Sequence, residues 1–223
     1  MNYPTGFRGA GMSWFLVASL WTAASAIATA TEHCGENGEC KALVEVIDRT
    51  AEQVAATLEG RRNHFRDHPE ELYAVIDEIL LPNFDVRYTG YKVMGEANWK
   101  AATKDQRRRF VDTFHQFMVR SYATGLLRLD PKSLEILPDF TANERFAAVE
   151  TTIMEDSGQL IPVDYHLRKS KTAGWRVYDV RIEGVSYVES YSNQFAAEID
   201  ALGLDAVIDR MQAEIDQGVT AGS

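Results

Sequence analysis

Apolar residues recur at helical spacing in the chain beyond residue 40. The apolar stripe of residues 41–59 consists of Leu43, Val46, Ile47, Val54 and Leu58. Charged residues occupy the opposite face, which predicts an amphipathic helix. A second helix is predicted over 69–81, because this segment opens with a proline and two glutamates and is followed by another proline. A third, short helix is predicted around Asp85–Trp99, although two glycines within it disfavour helix.

The clearest helix begins after Thr103. Thr103 and Gln106 have the spacing of a capping box, which satisfies backbone N–H groups at a helix start. Aromatic and apolar residues then recur at helical spacing at Phe110, Phe114, Phe117, Met118, Tyr122 and Leu126. The sequence therefore predicts a long helix with one aromatic side, which ends before Asp130 and Pro131 break the pattern.

The period changes to two between residues 133 and 182. A half-buried strand is predicted where apolar residues alternate with others, at Ile161, Val163, Tyr165 and Leu167. Turn residues on both sides predict antiparallel neighbours over 146–154 and 175–182. Helical spacing returns over 187–199 and again over 204–215.

These elements predict an α+β fold, in which a curved antiparallel sheet packs against several helices. No internal repeat, low-complexity linker or change of composition divides the chain. We therefore expect residues 31–223 to form a single domain, with a frayed tail from about residue 217.

The N-terminus resembles a secretory signal. Residues 11–24 are apolar or small and carry no charge, and Arg8 precedes them. The run is shorter than the ~20 apolar residues that a membrane-spanning helix needs. Ala28 and Ala30 supply a small-x-small cleavage pattern, so we expect residues 1–30 to be removed near one of them. The alternative is an uncleaved N-terminal anchor.

The chain is acidic, with a formal net charge of −10. Residues 1–30 contain a single charged residue, Arg8, so the exported chain would carry −11. An acidic surface repels phosphates, which argues against nucleic acid as a partner and against stable adsorption on an anionic membrane. It does not exclude a lipid taken into the interior.

The chain contains two cysteines, Cys34 and Cys40, separated by five residues. In an oxidising compartment two such neighbours most simply form a disulfide, and we predict one here. The small loop limits the expected stabilisation to at most the lower end of the usual ~2–4 kcal/mol.

Catalytic and metal-binding patterns are weak. His64 and His68 have a zinc-compatible spacing, but the glutamate of an HExxH motif is missing and a proline follows. Asp179, Arg181 and Glu183 share one strand face, where the intervening arginine favours an exposed ion-pair ladder over a catalytic carboxylate pair. We therefore expect no catalytic residue, no metal and no cofactor. What remains is apolar surface, which either packs together or encloses a ligand cavity.

The segment 80–126 resembles the periplasmic phospholipid-binding proteins of the Mla (maintenance of lipid asymmetry) transport system, also called toluene-tolerance proteins. The resemblance is carried first by Pro82, Phe84, Asp85, Gly95, Trp99, Ala102, Thr103, Gln106, Arg107, Phe110, Phe114 and Tyr122. A second block comprises residues 161–169, 175–180 and 183–186, Tyr191, Gln194 and Phe195. The likeness covers about residues 41–212. The Cys34–Cys40 pair is not part of the family pattern, and Asn98 stands where the family often has an aromatic residue.

The resemblance implies a soluble periplasmic carrier, expected to be a monomer, whose cargo is a phospholipid held in an internal apolar pocket. Its implied partners are an outer-membrane lipoprotein complex and an inner-membrane ABC transporter with its MCE-domain protein. The acyl chains are expected between the aromatic helix and the sheet. The expected lipid-binding residues are Phe114, Phe117, Met118, Tyr122, Leu126, Val149, Ile153, Ile161, Val163, Tyr165, Leu167, Trp175, Tyr178, Val180 and Ile182.

Three alternatives remain open at this point. A related branch of the family accompanies hopanoid synthesis. An enzyme with the NTF2-like arrangement, a conical pocket between helices and a curved sheet, would share part of the fold, but it would need an Asp or His in the apolar pocket with a shifted pKa. The third alternative is an adaptor domain with no small ligand.

Overall fold

A computed structural model of the chain describes residues 38–218. The expected signal segment 1–30, Cys34 and residues 219–223 lie outside the described residues, so the cleavage site and the disulfide stay predictions. Within residues 38–218, no helix is both long enough and apolar enough to cross a membrane.

Eight α-helices and one 3₁₀ helix are formed within the described residues. The helices are α1 (Gly38–Leu58), α2 (Arg62–Asp67), α3 (Pro69–Leu80), α4 (Val86–Met94), α5 (Glu96–Ala101), α6 (Lys104–Tyr122), the 3₁₀ helix Ala123–Arg128, α7 (Tyr187–Leu202) and α8 (Leu204–Asp216). The amphipathic helix predicted over 41–59 is confirmed as α1, and all five residues of its stripe are buried.

The single short helix predicted around Asp85–Trp99 is wrong in extent. Two helices, α4 and α5, meet there at Gly95, whose φ of 80° lies in the left-handed region that glycine adopts without a steric penalty. The break turns the chain between the two helices, and the periodicity of apolar residues does not reveal it.

Helix α6 has the predicted capping box. The Gln106 N–H donates to the Thr103 hydroxyl at 3.1 Å, and the Thr103 N–H donates to the Gln106 side-chain oxygen at 3.0 Å. Two otherwise unpaired backbone donors are thereby satisfied, so the helix begins sharply at Lys104. This fixes the register of the aromatic residues that follow.

Five strands form one antiparallel sheet in the order β1-β2-β3-β4-β5. The strands are β1 (Leu129–Ala142), β2 (Phe146–Glu155), β3 (Leu160–Ser170), β4 (Gly174–Ile182) and β5 (Val185–Ser186). The predicted strands 146–154 and 175–182 are confirmed as the neighbours of β3. Strand β1 starts at Leu129, four residues before the predicted onset of the strand pattern at 133, and includes the proline that ends the helical pattern.

The sheet has one face turned toward helix α1, which we call the inner face. Alternate β2 residues Ala147, Val149, Thr151 and Ile153 are all buried on it, whereas Glu150 between them is exposed. This alternation is what the two-residue period of a strand requires when one face is covered.

Besides the residues on the inner face of the sheet, two apolar clusters are buried between the helices. One joins α4, α6, α7 and α8 around Phe110, Phe114 and Phe195. The other joins α1, α2, α3 and the 3₁₀ helix around Leu58 and Phe65. The helices therefore do not fill a single core, and the space that remains between them and the sheet is where the candidate site lies.

The ion-pair ladder expected on β4 is wrong for Asp179. This residue is 7% exposed, and its carboxylate accepts from the Ser186 hydroxyl at 2.6 Å and from the Val188 N–H at 3.1 Å. The Ser186 hydroxyl in turn accepts from the Glu189 N–H at 2.9 Å. Asp179 thus helps to cap the start of α7, where the helix dipole favours a negative charge.

Candidate functional site

A cavity of about 980 Å³ lies between the sheet and helices α1, α3, α4 and α6. Its lining is predominantly apolar, with residues such as Val54, Ile76, Met118, Val163 and Ile182. Protein interiors are normally packed about as densely as organic crystals, with few voids larger than a water molecule. A void of this size is therefore a site for something other than the chain's own side chains.

The inner face of the sheet is filled at one end, which we call the closed end. There Ala147, Leu167 and Val177 lie opposite one another on adjacent strands and pack against Leu43 and Val46 of α1. Val177 lies at the limit of this end, because it also lines the cavity. Leu167 is fully buried. The first half of α1 thus seals this end of the sheet.

The inner face borders the cavity at the other end, which we call the open end. There Ile153 pairs with Ile161, and Val163 pairs with Ile182. All four residues line the cavity, and none of them belongs to the apolar cluster that α1 forms with the closed end. The same alternating strands therefore cover a core at one end and a void at the other.

The structure brings eleven of the fifteen expected lipid-binding residues to the cavity wall. These eleven are Phe114, Met118, Tyr122, Leu126, Ile153, Ile161, Val163, Tyr165, Tyr178, Val180 and Ile182. They come from α6 and the 3₁₀ helix on one side and from strands β2, β3 and β4 on the other. The helix and the sheet that were expected to hold the acyl chains therefore face each other across the cavity.

The other four expected residues do not line the cavity; they are Phe117, Val149, Leu167 and Trp175. Phe117 packs edge-on against Tyr191 of α7, with ring centroids 5.7 Å apart. Val149, Leu167 and Trp175 belong to the apolar cluster of the closed end. The three strand residues follow the same alternation as the strand residues that line the cavity. The position of α1 decides which residues of that face meet the cavity and which are packed.

Sequence reasoning missed the wall formed by the N-terminal helices and β1. Helix α1 contributes Ile47, Thr50, Ala51 and Val54, α3 contributes Ile76 and Leu80, and β1 contributes Leu129, Pro131 and Leu134. The stripe of α1 was visible in the sequence, but its apolar residues are indistinguishable there from core residues. The small residues Thr50 and Ala51 were a usable signal, because they keep the helix backbone close to the cavity.

Polar groups in the wall are mostly used within the protein. His115 of α6 pairs through its Nε2 with the Asp77 carboxylate of α3, and Asp179 caps α7 as described above. The Ser121 hydroxyl, in contrast, is buried and has no hydrogen-bond partner among the described residues. An unpaired buried hydroxyl is costly unless a ligand or water bonds to it.

Tyr165 lies midway along the inner face, between the closed end and the open end. It pairs with Val149 on one side and with Val180 on the other, and it lines the cavity. Burial raises the pKa of the Tyr165 phenol to about 12. The phenol therefore stays neutral at any physiological pH.

The cavity opens at the open end of the sheet. Its exposed lining residues there are Arg128, Gln159 and Glu183. Arg128 contacts the partly buried Glu155 at 3.6 Å. Polar residues thus surround the opening of an apolar interior.

A smaller pocket of about 420 Å³ adjoins the opening. It shares Tyr122, Ile182, Glu183 and Tyr187 with the wall of the main cavity. The hydroxyls of Tyr122 and Tyr191 are hydrogen bonded at 2.8 Å. Burial and this hydrogen bond raise the pKa of Tyr191 far above its usual value, and burial also raises the pKa of Tyr187.

A metal site is not formed within residues 38–218, where no group of three His, Cys, Asp or Glu side chains converges. His64, whose spacing with His68 resembled a zinc motif, bonds through Nε2 to the Glu71 carboxylate at 2.8 Å. The feature of the described chain that best suits a ligand is the apolar cavity with its adjoining pocket.

Comparison with known proteins agrees with this geometry. The family profile described as "MlaC protein" matches residues 48–213, which is most of the chain. The chain belongs to the MlaC family. The Mla resemblance found in the motifs is thus confirmed.

Two curated MlaC relatives cover most of the chain. The intermembrane phospholipid transport system binding protein MlaC of Haemophilus influenzae is 24% identical over 177 residues, covering 78% of this chain and 82% of the relative. The toluene tolerance protein ttg2D of Pseudomonas putida is 23% identical over 173 residues, covering 77% of this chain and 80% of the relative.

A solved structure shares the MlaC-type fold described here. The phospholipid-binding protein of Ralstonia solanacearum, determined in complex with a phospholipid, superimposes with a TM-score of 0.68 at 25% identity. The match covers 78% of this chain and 96% of that protein. The α+β architecture, an antiparallel sheet packed against helices, is therefore shared with that protein.

Proposed function

We propose that this protein carries one phospholipid, with both acyl chains inside the cavity. The observation that supports this most directly is the size and lining of the void. A methylene takes up roughly the space of a water molecule, about 30 Å³, so the cavity of about 980 Å³ has room for on the order of 30 methylenes. That is the content of the two tails of one ordinary phospholipid.

The physical need for such a container is large. Exposing one methylene to water costs about 0.8 kcal/mol, so two tails with roughly 30 methylenes cost on the order of 25 kcal/mol. A lipid that crosses an aqueous compartment therefore has to be enclosed. Transfer between containers is a partition that needs no catalytic group, and we propose that the protein is not an enzyme.

The proposed tail contacts are the eleven expected lining residues together with the wall that α1 and α3 add. Val54 and Ile76 face the cavity from the helices, and Val163 and Ile182 face it from the sheet. The buried Ser121 hydroxyl would find a hydrogen-bond acceptor in an ester group of the cargo. The solved relative was determined with a phospholipid bound, which supports this assignment.

We propose further that the chain is exported to the periplasm and shuttles its cargo as a monomer between an outer-membrane lipoprotein complex and an inner-membrane ABC transporter with an MCE-domain protein. The curated relative named as the binding protein of an intermembrane phospholipid transport system supports this role. Any net direction of transport has to come from the partner that hydrolyses ATP, because binding alone is reversible.

Mass spectrometry of gently purified protein tests the carrier proposal. We expect one phospholipid per chain, and we expect delipidated protein to take up phospholipid from vesicles. Recovery of no bound phospholipid, together with no uptake from vesicles, would contradict the carrier proposal. Detection of turnover of a small substrate would contradict the non-enzymatic role.

A substitution that fills the cavity sharpens this test. Val163→Trp should at least halve lipid loading, because the indole occupies space that the tails need, while the fold is kept. The matched control is Thr152→Trp, since Thr152 lies on a neighbouring strand next to the inner-face residues Thr151 and Ile153 but does not line the cavity. Loading is measured as bound phospholipid per chain, with circular dichroism to verify folding. Unchanged loading of folded V163W would contradict the assignment of the cavity.

A further inference from the structure

The smaller pocket adjoins the main cavity but differs from it in chemistry. Half of the residues that line it carry hydroxyl groups, namely Tyr122, Tyr187, Ser190 and Tyr191, and Gln194 adds an amide. The two spaces share a wall at Tyr122 and Tyr187. A molecule with apolar tails in the main cavity could therefore place a polar group in the smaller pocket beside it.

The charged lining of the smaller pocket is negative. Among the described residues that line it, Glu183 is the only charged side chain. Within residues 38–218 no cationic side chain lies within ion-pair distance of the Glu183 carboxylate, which is exposed. A carboxylate without a cation of the protein's own attracts a cationic group of a ligand and repels an anionic one.

The backbone at Glu183 is strained. Its φ of 51° makes it the only non-glycine residue with positive φ among those described. Together with Gly184, at φ 80°, it forms the two-residue connection between β4 and β5. Such connections favour Asn, Asp or Gly at the first position, because these residues adopt the left-handed conformation most readily. A backbone outlier of this kind at the wall of a pocket points to a functional role for the side chain.

The neighbouring helix start is not available to an anion. Helix α7 begins beside the pocket, and a free helix N-terminus would bind phosphate. Here the Val188 N–H donates to Asp179, and the Glu189 N–H donates to Ser186. The favourable positive end of the helix is therefore already matched by a carboxylate of the protein.

Resting on the proposed function, we infer that the smaller pocket receives the lipid headgroup and that Glu183 gives it a preference for zwitterionic headgroups with a primary amine over anionic headgroups. The amine would lie at the Glu183 carboxylate. The Tyr187 hydroxyl would donate to the phosphate, together with whichever of the Tyr122 and Tyr191 hydroxyls accepts the hydrogen bond between them. The tails supply most of the binding energy, so the headgroup changes selectivity and leaves total loading almost unaltered.

The test is competitive loading from vesicles that contain equal amounts of phosphatidylethanolamine and phosphatidylglycerol with matched acyl chains. Bound lipid is extracted and both species are quantified by mass spectrometry. We expect the wild-type protein to bind phosphatidylethanolamine about three- to fivefold over phosphatidylglycerol, as for one partly exposed ion pair. In Glu183→Gln the ratio should fall to that of the vesicles at unchanged total loading.

The matched control is Glu189→Gln. Glu189 is an exposed carboxylate on the first turn of α7 and lines neither pocket. Removing its charge changes the net charge of the protein by the same amount as Glu183→Gln does. The preference should survive in E189Q, which separates a local contact from an effect of overall charge on attraction to the vesicle.

A second variant keeps the inference falsifiable if E183Q folds poorly. Glu183→Asn removes the charge and also suits the left-handed conformation, so it should lose the lipid preference while the melting temperature stays equal or rises. A merely structural glutamate would give the opposite result, a lower melting temperature with an unchanged lipid ratio, and that result would overturn the inference.

The outcomes distinguish this inference from the carrier proposal. Lipid bound by the wild type at the vesicle ratio, or enriched in phosphatidylglycerol, would overturn the headgroup preference and leave the carrier intact. If both E183Q and E183N still prefer phosphatidylethanolamine, Glu183 is not the source of the headgroup preference. Absence of any bound lipid would overturn the carrier proposal itself.

Discussion

The two ends of the inner face of the sheet are built from the same strands, but one end is packed against a helix and the other borders the cavity. At the closed end Ala147 and Leu167 are buried under the first half of α1. At the open end Ile153 and Val163, on the same two strands, border the cavity. The chain therefore builds a solid core and a container from one alternating pattern.

The difference teaches that the helix, and not the sheet, decides where the container is. Helix α1 presents Leu43 and Val46 to the closed end, whereas Ile47, Thr50, Ala51 and Val54 line the cavity. The first half of the helix packs against the sheet, and its later part borders the space between helix and sheet. The proposed function needs both ends, because a rigid anchored end holds the walls of the empty space apart.

The largest expected effect that separates the two ends is on stability. Leu167→Ala should lower the free energy of unfolding by about 2–5 kcal/mol, because it opens a hole in a packed cluster. Ile161→Ala should cost roughly 1 kcal/mol in delipidated protein, because its side chain already borders a void. Denaturant titration of both variants measures this. Equal losses would mean that the open end is packed like the closed end.

Removal of the lipid should affect the open end alone. Cargo that binds the native state at about 100 times its dissociation constant stabilises it by about 3 kcal/mol. We expect delipidation to lower the melting temperature and to speed amide hydrogen exchange near Val163, with little change near Leu167. Hydrogen exchange read by mass spectrometry checks this on β3 alone. Uniform acceleration along the strand would argue against two distinct ends.

Tyr165 marks the boundary and gives the smallest of these effects. Its folded pKa of about 12 exceeds the value of about 10 expected in the unfolded chain. Below pH 10 both states carry a neutral phenol; above it the unfolded chain ionises first, so stability falls as pH rises from 10 to 12. At pH 11 this amounts to about 1 kcal/mol. Tyr165→Phe should lose less stability than the wild type between pH 9 and 11, and an identical loss would contradict the burial of this phenol.

Much of the fold could be predicted from local chemistry. The capping box at Thr103 fixed the start of α6, and the alternation from Ile161 to Leu167 fixed the orientation of β3. The glycines within 85–99 were recognised as unfavourable for helix, but the division into two helices at Gly95 was not predicted, because the apolar periodicity spans it. The capping role of Asp179 was missed because its partner, the start of α7, lies across a hairpin.

The candidate site was predicted less completely than the fold. Met118 and Val163 were expected at the lipid and line the cavity, whereas Leu167 and Trp175 were expected there and lie in the closed end. A side chain that faces a void and one that faces another side chain are selected for the same apolarity. Only the position of α1 separates them, and that position depends on contacts across the whole chain.

The void has a mechanical consequence. An unfolded chain encloses no empty space, so hydrostatic pressure favours it over any native state that does, and typical unfolding volumes of about −20 to −100 mL/mol scale with the void that is lost. Because its apolar cavity of about 980 Å³ hydrates poorly, the delipidated protein should unfold at a lower pressure than the loaded protein. A bound lipid acts as an incompressible filling. The pressure at which the chain unfolds would then report, without any label, whether the carrier is loaded.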